Sequence, residues 1–228
     1  MITENKGEDM VTFQDIKNND TIKTYIKQAD ASLNALGYTE HSFAHVISVA
    51  NTAGYILETL NYPVHDIELV KIAAYLHDIG NLINRTDHAQ SGAILAFRLL
   101  DEMGMPPIDI AQIATAIGNH DEGTGVPVNH IAAALILADK TDVRRSRVRN
   151  EDFTTFDIHD RVNYSVSKTF LSIAKEEKIL NLKIVLDNHY GSVMDYFEIF
   201  MNRMLMCRKA SESLGLKFNL YINDQQLI

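Results

Sequence analysis

The sequence carries histidine and aspartate residues inside stretches whose other side chains are apolar. His77 and Asp78 stand at the end of the run AAYLHDIGNL (residues 73–82), and His45 and Asp139 lie in equally apolar stretches. An aspartate is almost never fully buried unless it is paired or bound to a metal ion. Three helices that bring such residues together form a metal site inside a helical bundle. Imidazole and carboxylate ligands suit a divalent ion such as Fe, Mn, Zn or Mg.

Helical periodicity predicts the elements that must position these side chains. Apolar residues recur with a helical period, and Gly and Pro fall where the helices would stop. Gly80 is expected at the C′ position of the helix that carries His77. Asp87, with Gln90 three residues later, is expected to cap the next helix. The predicted helices cover residues 15–36, 42–60, 66–79, 87–104, 106–119 and 128–141.

The pattern changes near residue 150, which predicts two units. Residues 1–150 are expected to form an all-α bundle, and residues 151–228 show β-branched residues with partial alternation. The fold is therefore predicted to be mainly α, a helical bundle with a small C-terminal α+β appendage that completes the core or covers the site. The appendage is predicted in ββαβ order, over residues 165–174, 178–187, 189–214 and 216–224.

Composition and charge limit the classes of function. The chain has 228 residues with a formal net charge of −9, which argues against a general nucleic-acid binder. It has no apolar run of about 18 residues, so no membrane span is predicted. The segment MITENKGEDM at residues 1–10 does not resemble a targeting signal. Cys207 is the single cysteine and cannot form an intramolecular disulfide, so a cytoplasmic location is expected.

The order of these residues resembles the HD-domain superfamily of metal-dependent phosphohydrolases. The resemblance covers about residues 40–145 and rests on HVISVA around the first histidine, LHDIG at the HD pair and LADK at the distant aspartate. It implies a helical bundle in which four residues bind a metal ion, namely His45, His77, Asp78 and Asp139.

Two further histidines resemble the extra ligands of HD subgroups that bind two metal ions. His88 lies in HAQSGA and His120 in GNHDEGTGVP, similar to motifs of the HD-GYP proteins. The resemblance implies that these two histidines bind a second ion and that Asp78 bridges both ions. Two cations about 3.5–4 Å apart can share a hydroxide, lower the pKa of its parent water and polarise a phosphoryl oxygen.

The sequence also departs from the HD-GYP pattern. Asn81 stands where those proteins carry a lysine, GVP replaces the full GYP signature, and Asp121 replaces the second histidine of an HHE motif. The interval between Asp78 and His88 is also shorter than in those proteins. These differences argue against hydrolysis of cyclic dinucleotides.

Several polar residues near the predicted ligands are candidates for catalysis or substrate binding. Asp121 and Glu122 could shuttle protons or orient a ligand imidazole, although a solvated loop is an equal alternative. His41 lies one helical turn before His45 and is either a phosphate contact or a helix-start residue. The segment RRSRVR follows Asp139 closely and is basic in an acidic protein. The predicted phosphate-binding residues are Lys140, Arg144 and Arg145, whereas Arg147 and Arg149 are expected to pair with the acidic residues 150–152 or with a partner subunit.

The predicted function is hydrolysis of a small phosphate ester, with nucleotides among the substrates, by a hydroxide that bridges two metal ions. One or two divalent ions are expected: Fe, Mn, Zn or Mg, or Ni or Co acquired during crystallisation. The same ligand set resembles the HD-fold mixed-valent di-iron oxygenases, which cleave C–C or C–P bonds with O₂. A ligand-binding or regulatory HD protein without catalysis is a third alternative. The expected partner is a small phosphorylated molecule, and a homodimer is compatible with the sequence.

Overall fold

The computed structural model describes residues 11–228, and the segment considered above for a targeting signal lies outside this range. The described part contains nine α-helices and a four-stranded sheet. The helices are α1 (Phe13–Asn18), α2 (Asp20–Ala35), α3 (Phe43–Thr59), α4 (Val64–Leu76), α5 (His88–Glu102), α6 (Pro107–Gly118), α7 (His130–Lys140), α8 (Ile158–Ser165) and α9 (Val193–Ser213). The strands are β1 (Val166–Ala174), β2 (Ile179–Leu186), β3 (Lys217–Ile222) and β4 (Gln225–Gln226).

Helix α7 is the central element of the bundle. Every residue from Ile131 to Ala138 is buried, and a helix that is apolar on all sides belongs in the interior. Asn129 caps its first turn, because the Asn129 side chain accepts a hydrogen bond from the backbone N–H of Ala132 at 2.7 Å. Helices α3, α4 and α6 pack around α7, so that α7 carries Asp139 into the middle of the protein.

The structure corrects two expectations about helix ends. Helix α4 stops at Leu76, and the chain continues through His77 and Asp78 into a 3₁₀ turn at Ile79–Leu82, so Gly80 is not a C′ residue. A Cβ atom at Gly80 would lie 2.0 Å from the carbonyl oxygen of His88 and 2.5 Å from the nitrogen of Gly92. The glycine is therefore needed for the close approach of this turn to α5. Asp87 precedes α5 with a φ of 57°, but its side chain makes no capping hydrogen bond.

The C-terminal unit has the predicted α+β character with additional elements. Strands β1 and β2 form the expected antiparallel hairpin, and β3 lies parallel to β2 on its other side. The sequence-based order missed α8 before the hairpin and the short β4 after β3. Helix α9 connects β2 to β3 and packs against α7. Tyr196, Phe200 and Met204 of α9 belong to the same hydrophobic core as the bundle. The predicted division near residue 150 therefore does not separate two cores.

No helix within residues 11–228 is long and apolar enough to cross a membrane.

We predict that Gly80→Ala lowers the free energy of unfolding by about 1–3 kcal/mol, because the added methyl group overpacks the contact between the 3₁₀ turn and α5. Gly118→Ala is the matched control, since a Cβ there would meet only the Cβ of Ala93 at an ordinary 3.6 Å. Urea denaturation followed by circular dichroism measures both variants. Equal stability of the two alanine variants would contradict this role of Gly80.

Candidate metal centre

The first half of the centre joins three elements of the bundle. His45 comes from α3, His77 and Asp78 follow the end of α4, and Asp139 lies near the end of α7. His45 Nε2 lies 3.4 Å from His77 Nε2 and 3.4 Å from Asp139 Oδ1. Asp78 Oδ2 lies 3.6 Å from His45 Nε2 and 3.2 Å from His77 Nε2. Four ligand atoms therefore surround one point in the interior.

The second half lies on the other side of the same carboxylate. His88 begins α5 and His120 follows α6, and their Nε2 atoms are 3.2 Å apart. Asp78 Oδ1 lies 3.6 Å from His88 Nε2 and 4.0 Å from His120 Nε2. Asp78 thus directs one oxygen toward each half. The structure brings together all six of the residues predicted as metal ligands.

Hydrogen bonds donated by Nδ1 fix which edge of each imidazole ring faces the cluster. The Nδ1 atoms of His77, His88 and His120 lie 2.7, 3.1 and 2.6 Å from the carbonyl oxygens of Ala74, Arg85 and Ile117. A carbonyl oxygen only accepts hydrogen bonds, so each Nδ1 carries the proton. His45 Nδ1 donates in the same way to Asp142 Oδ2 at 2.7 Å. In neutral rings every Nε2 therefore presents a lone pair to the cluster, which is the arrangement that metal-binding histidines adopt.

The donor set fits divalent metal ions. The Nε2 atoms of the buried pairs His45–His77 and His88–His120 face each other at 3.4 and 3.2 Å, so each pair with unprotonated Nε2 atoms could share a cation. Around a tetrahedral ion with bonds of about 2.1 Å, ligand atoms are about 3.4 Å apart. The distances of 3.2–3.6 Å in the first half match this spacing. Three groups of ligand atoms lie close enough to hold an ion: His45, His77 and Asp78; His77, His120 and Asp139; and Asp78, His88 and His120.

The electrostatics of the cluster also call for positive charge. Burial lowers the pKa of His77, but the charge of Asp78 and hydrogen bonds to Asp139 and Asp78 raise it to about 10. Burial together with the charges of His77 and Lys140 lowers the pKa of His120 to about 3. For Asp78, burial raises the pKa, but the charges of His77 and His41 hold it well below the usual carboxyl range. For Asp139 too, burial raises the pKa, but the charge of Lys140 and hydrogen bonds from His45 and His77 hold it well below the usual carboxyl range. Both carboxylates are therefore ionised, and bound divalent ions would balance them.

Sequence reasoning did not assign a role to two residues that position the ligands. Asp142 lies three residues after Asp139, and its carboxylate orients His45 from outside the cluster. Asn81, noted only as a departure from a lysine, donates its side-chain amide to Asp78 Oδ1 at 3.1 Å. The available signal was only the closeness of Asp142 to Asp139 in the sequence, because Asp142 lies beyond the end of α7 and shares no helix face with Asp139.

A cavity of about 340 Å³ adjoins the metal centre and has a basic floor. Arg85, Arg147, Arg203 and His41 line both this cavity and the small space directly above the ligand atoms. Arg147, expected to pair with nearby acids or a partner, is buried and donates to the carbonyls of Glu40 and Asp142 at 2.9 and 2.8 Å. Sequence reasoning singled out neither Arg85, which lies between the HD pair and His88, nor Arg203, which is distant from the motifs along the chain.

The other predicted site residues fall into two groups. His41, Lys140, Asp121 and Glu122 lie at the centre or beside its cavity: His41 Nε2 is 4.0 Å from Asp78 Oδ2, and Asp121 Oδ1 is 3.9 Å from His88 Nε2. Lys140 Nζ is 2.7 Å from Asp139 Oδ2 and 3.6 Å from Glu122 Oε1, and Glu122 also accepts a hydrogen bond from Arg203 Nε.

Arg144 and Arg145 are not brought to the metal centre. Arg144 donates its Nε to Asp142 at 3.0 Å on the outer side of that carboxylate. The Arg145 guanidinium lies 4.4 Å from the ring centre of Tyr164 and donates its Nε to the Tyr164 carbonyl. Their predicted contact with a substrate phosphate has no support in this geometry, because the chain turns outward after α7. Arg149 pairs with Asp30 and not with residues 150–152.

The fold and the cluster define a helical-bundle protein with a His/Asp centre that could hold divalent metal ions. The family model described as HD domain matches residues 42–212. The chain belongs to the HD domain family. The matched range extends beyond residue 150 and includes most of α9, in agreement with the continuous core.

Two known proteins are similar to this chain. An uncharacterized protein of Methanocaldococcus jannaschii is 25% identical over 210 residues, which cover 82% of this chain and 80% of that protein. A predicted HD superfamily hydrolase from an uncultured Thermotogales bacterium has a solved structure that is 26% identical, with a TM-score of 0.43, over 54% of this chain and 67% of that chain.

We predict that the natural protein binds two divalent ions per chain. The His88→Ala variant is expected to bind one ion, and the Asp78→Asn variant is expected to lose high affinity for both. The reason is that His88 contacts only the second half of the cluster, while Asp78 offers an oxygen to each half. Elemental analysis after equilibration with Mn²⁺ measures the stoichiometry. His189→Ala, in an exposed loop, is the control that keeps both ions. Two tightly bound ions in the Asp78 variant would contradict the bridging assignment.

We predict that Asp142→Asn weakens metal binding about 10- to 100-fold, because the neutral amide no longer fixes the His45 tautomer or increases its basicity. Asp66→Asn is the matched control, since Asp66 accepts a similar 2.8 Å hydrogen bond from His130 away from the ligand cluster. Competition with a chromophoric chelator measures both affinities. Equal metal affinity of the two variants would show that Asp142 does not position His45.

Proposed function

We propose that the protein is a metal-dependent phosphohydrolase that cleaves a small phosphate ester, with nucleotides among its substrates. The observation that supports this most is the position of three arginines on the floor of the cavity next to the ligand cluster. Guanidinium groups bind phosphate oxygens through paired hydrogen bonds. The same three arginines also line the small space at the ligand residues, so a phosphate bound to them would lie between the cavity and the metal centre.

The metal ligands would be His45, His77, Asp78 and Asp139 for one ion and Asp78, His88 and His120 for the other. When bound, divalent ions lower the pKa of water and polarise phosphoryl oxygens, so that no side-chain nucleophile is required.

The arginines are held in place before substrate arrives. Arg147 donates to the carbonyls of Glu40 and Asp142, and Arg203 donates to Glu122 while its guanidinium lies 4.4 Å from the ring centre of Phe200. Fixed donors lose little entropy on binding and stabilise the negative charge of the phosphoryl group during transfer. Their role is to bind and orient the substrate.

Lys140 and Glu122 support this arrangement. Glu122 contacts both Arg203 of α9 and Lys140 of α7. Lys140 in turn contacts Oδ2 of Asp139, one of the proposed metal ligands. Because Glu122 is engaged by two cations, we assign it to positioning. Asp121 is more accessible, and its pKa is lowered: burial raises it, but the charge of Lys140 and a hydrogen bond from Gly123 outweigh that effect. An ionised Asp121 carboxylate beside His88 can accept a proton from water or hold a proton for the leaving alcohol.

His41 completes the cavity wall. Its Nδ1 donates to the Thr39 carbonyl at 2.7 Å, so the neutral ring directs a lone pair from Nε2 toward the cavity. Burial holds its pKa well below the usual histidine range, although the charge of Asp78 opposes this. We therefore assign His41 to accepting a hydrogen bond from a substrate hydroxyl or from water. This replaces the expected charge contact to a phosphate.

The cavity volume and the acidic surface support a small phosphorylated molecule rather than a nucleic-acid polymer as substrate. The cytoplasmic location, based on a single buried cysteine, and a homodimer remain proposals from the sequence.

A screen of phosphorylated metabolites with Mn²⁺- or Co²⁺-loaded protein, with and without O₂, tests the proposed function. Release of inorganic phosphate that is equal under both conditions is expected. O₂ consumption with cleavage of a C–C or C–P bond would instead identify an oxygenase. Stoichiometric metal with no turnover and retained ligand binding would identify a regulatory protein.

We predict that Arg203→Gln lowers kcat/KM about 10- to 150-fold, because a hydrogen bond to a charged group contributes about 1.5–3 kcal/mol. Arg208→Gln, an exposed position on the same helix, is the matched control and keeps the kinetics of the natural protein. Steady-state kinetics on the best substrate of the screen provide the measurement. An unchanged kcat/KM in the Arg203 variant would show that this arginine does not bind the substrate.

A further inference from the structure

A second groove lies on the outer side of the metal centre, between β1 and helices α3 and α7. Its volume is about 540 Å³. None of its lining residues lines the cavity beside the metal ligands. The groove therefore offers a separate place for a ligand, and the proposed hydrolysis does not use it.

One unpaired cation gives the groove a positive group in an acidic protein. Lys168 on β1 lines it and makes no ion pair or side-chain hydrogen bond with residues 11–228. Arg144 also lines it, but it forms ion pairs with Asp142 at 3.0 Å and with Glu40 at 3.6 Å, and its Nη2 is buried without a hydrogen bond. The carboxylate in the lining, Asp142, is engaged by His45, Ser48 and Arg144. Lys168 therefore supplies the available charge on the groove surface, and its ammonium group suits an anion.

The groove also has an apolar part next to this charge. Phe170 lines it, and this residue is 54% exposed on the edge strand β1. Lys168 and Phe170 are two residues apart on β1, so they project from the same side about 6.6 Å apart. Val143 and Leu171 extend the apolar lining. A ligand that contacts both parts needs an anionic head beside an aromatic or aliphatic group.

We propose that this groove is a second ligand site, which binds a phosphate ester carrying an aromatic or apolar group. Lys168 and Arg144 contact the phosphate, and Phe170 packs against the organic part. Thr52 adds a hydroxyl at the α3 wall, and the hydroxyl of Ser167 already donates to the Val185 carbonyl but can still accept a hydrogen bond.

The groove is connected to the metal centre through one carboxylate. Asp142 Oδ1 accepts hydrogen bonds from Arg144 and Ser48 on the groove side, and Oδ2 accepts the hydrogen bond from the metal ligand His45. A phosphate that draws Arg144 away leaves Asp142 a stronger acceptor for His45, and a more basic imidazole binds a metal ion more tightly. By linkage, the metal ion strengthens binding in the groove by the same factor.

Isothermal titration with benzylphosphonate, a non-hydrolysable aromatic phosphate analogue, tests the site on the metal-loaded full chain. Lys168→Gln is expected to weaken one class of binding about 10-fold while hydrolysis of p-nitrophenyl phosphate is unchanged. Phe170→Ser is expected to weaken benzylphosphonate and to leave methylphosphonate, which lacks the ring, unaffected. Lys209→Gln, an exposed lysine of α9 outside the groove, is the matched control.

Hydrogen exchange gives a measurement that does not depend on variants. Benzylphosphonate is expected to protect the backbone amides of residues 166–174 in the natural protein, and Arg203→Gln is expected to keep this protection because it alters only the other cavity. Identical titrations of the Lys168 and Lys209 variants would overturn the proposal. It would equally be overturned if residues 166–174 were protected only by self-association of the chain, without benzylphosphonate.

Discussion

The arrangement of the bundle depends on one buried carboxylate, that of Asp78. An ionised carboxylate in a protein interior is costly unless cations and hydrogen-bond donors surround it. Here each of its oxygens faces a different set of imidazole nitrogens, and Asn81 adds an amide donor. The contacts come from α3, from the end of α4 and from the start of α5. The packing of these three elements therefore depends on compensation of the Asp78 charge.

The residues around the proposed metal ligands orient the ligand side chains and do not themselves reach the metal centre. Backbone carbonyls three residues earlier hold three imidazole rings through Nδ1; at His77 and His120 this turn follows the end of a helix, and at His88 it precedes α5. His45 lies in the first turn of α3, where the Ser42 carbonyl already accepts the Val46 N–H, and its Nδ1 donates to the carboxylate of Asp142 just beyond α7. This explains why Asp142 is needed at one ligand only. Each ring therefore has one defined tautomer and one free lone pair.

The helices and the ligand residues could be predicted from the sequence, whereas the arginines that line the cavity could not. The helices around His45, His77 and Asp139 were predicted because apolar periodicity and Gly or Pro stops are local signals, and the ligand positions followed from motifs within those helices. Arg85 and Arg203 of the cavity were not predicted. Arg203 reaches it from a distant part of the chain, and Arg85 lies in an irregular segment between two ligand motifs, where the sequence does not indicate the direction of the side chain. Proximity along the sequence pointed to Arg144 and Arg145, but the chain leaves the centre after Lys140, and only Arg147 turns back into it. Local patterns define an element, whereas the side chains that meet between elements depend on packing.

The C-terminal unit has a chemical role as well as a structural one. Helix α9 buries Tyr196, Phe200 and Met204 in the common core, and this burial holds its axis against α7. That position carries Arg203 to Glu122 and to the cavity floor. Glu122 pairs with Arg203 and Lys140, and Asp157 and Asp160 also line the cavity, so its cations are partly balanced. Loss of α9 would remove Arg203 from the cavity and three apolar side chains from the core. The C-terminal unit therefore contributes both to the packing of the bundle and to the positive charge beside the ligand residues.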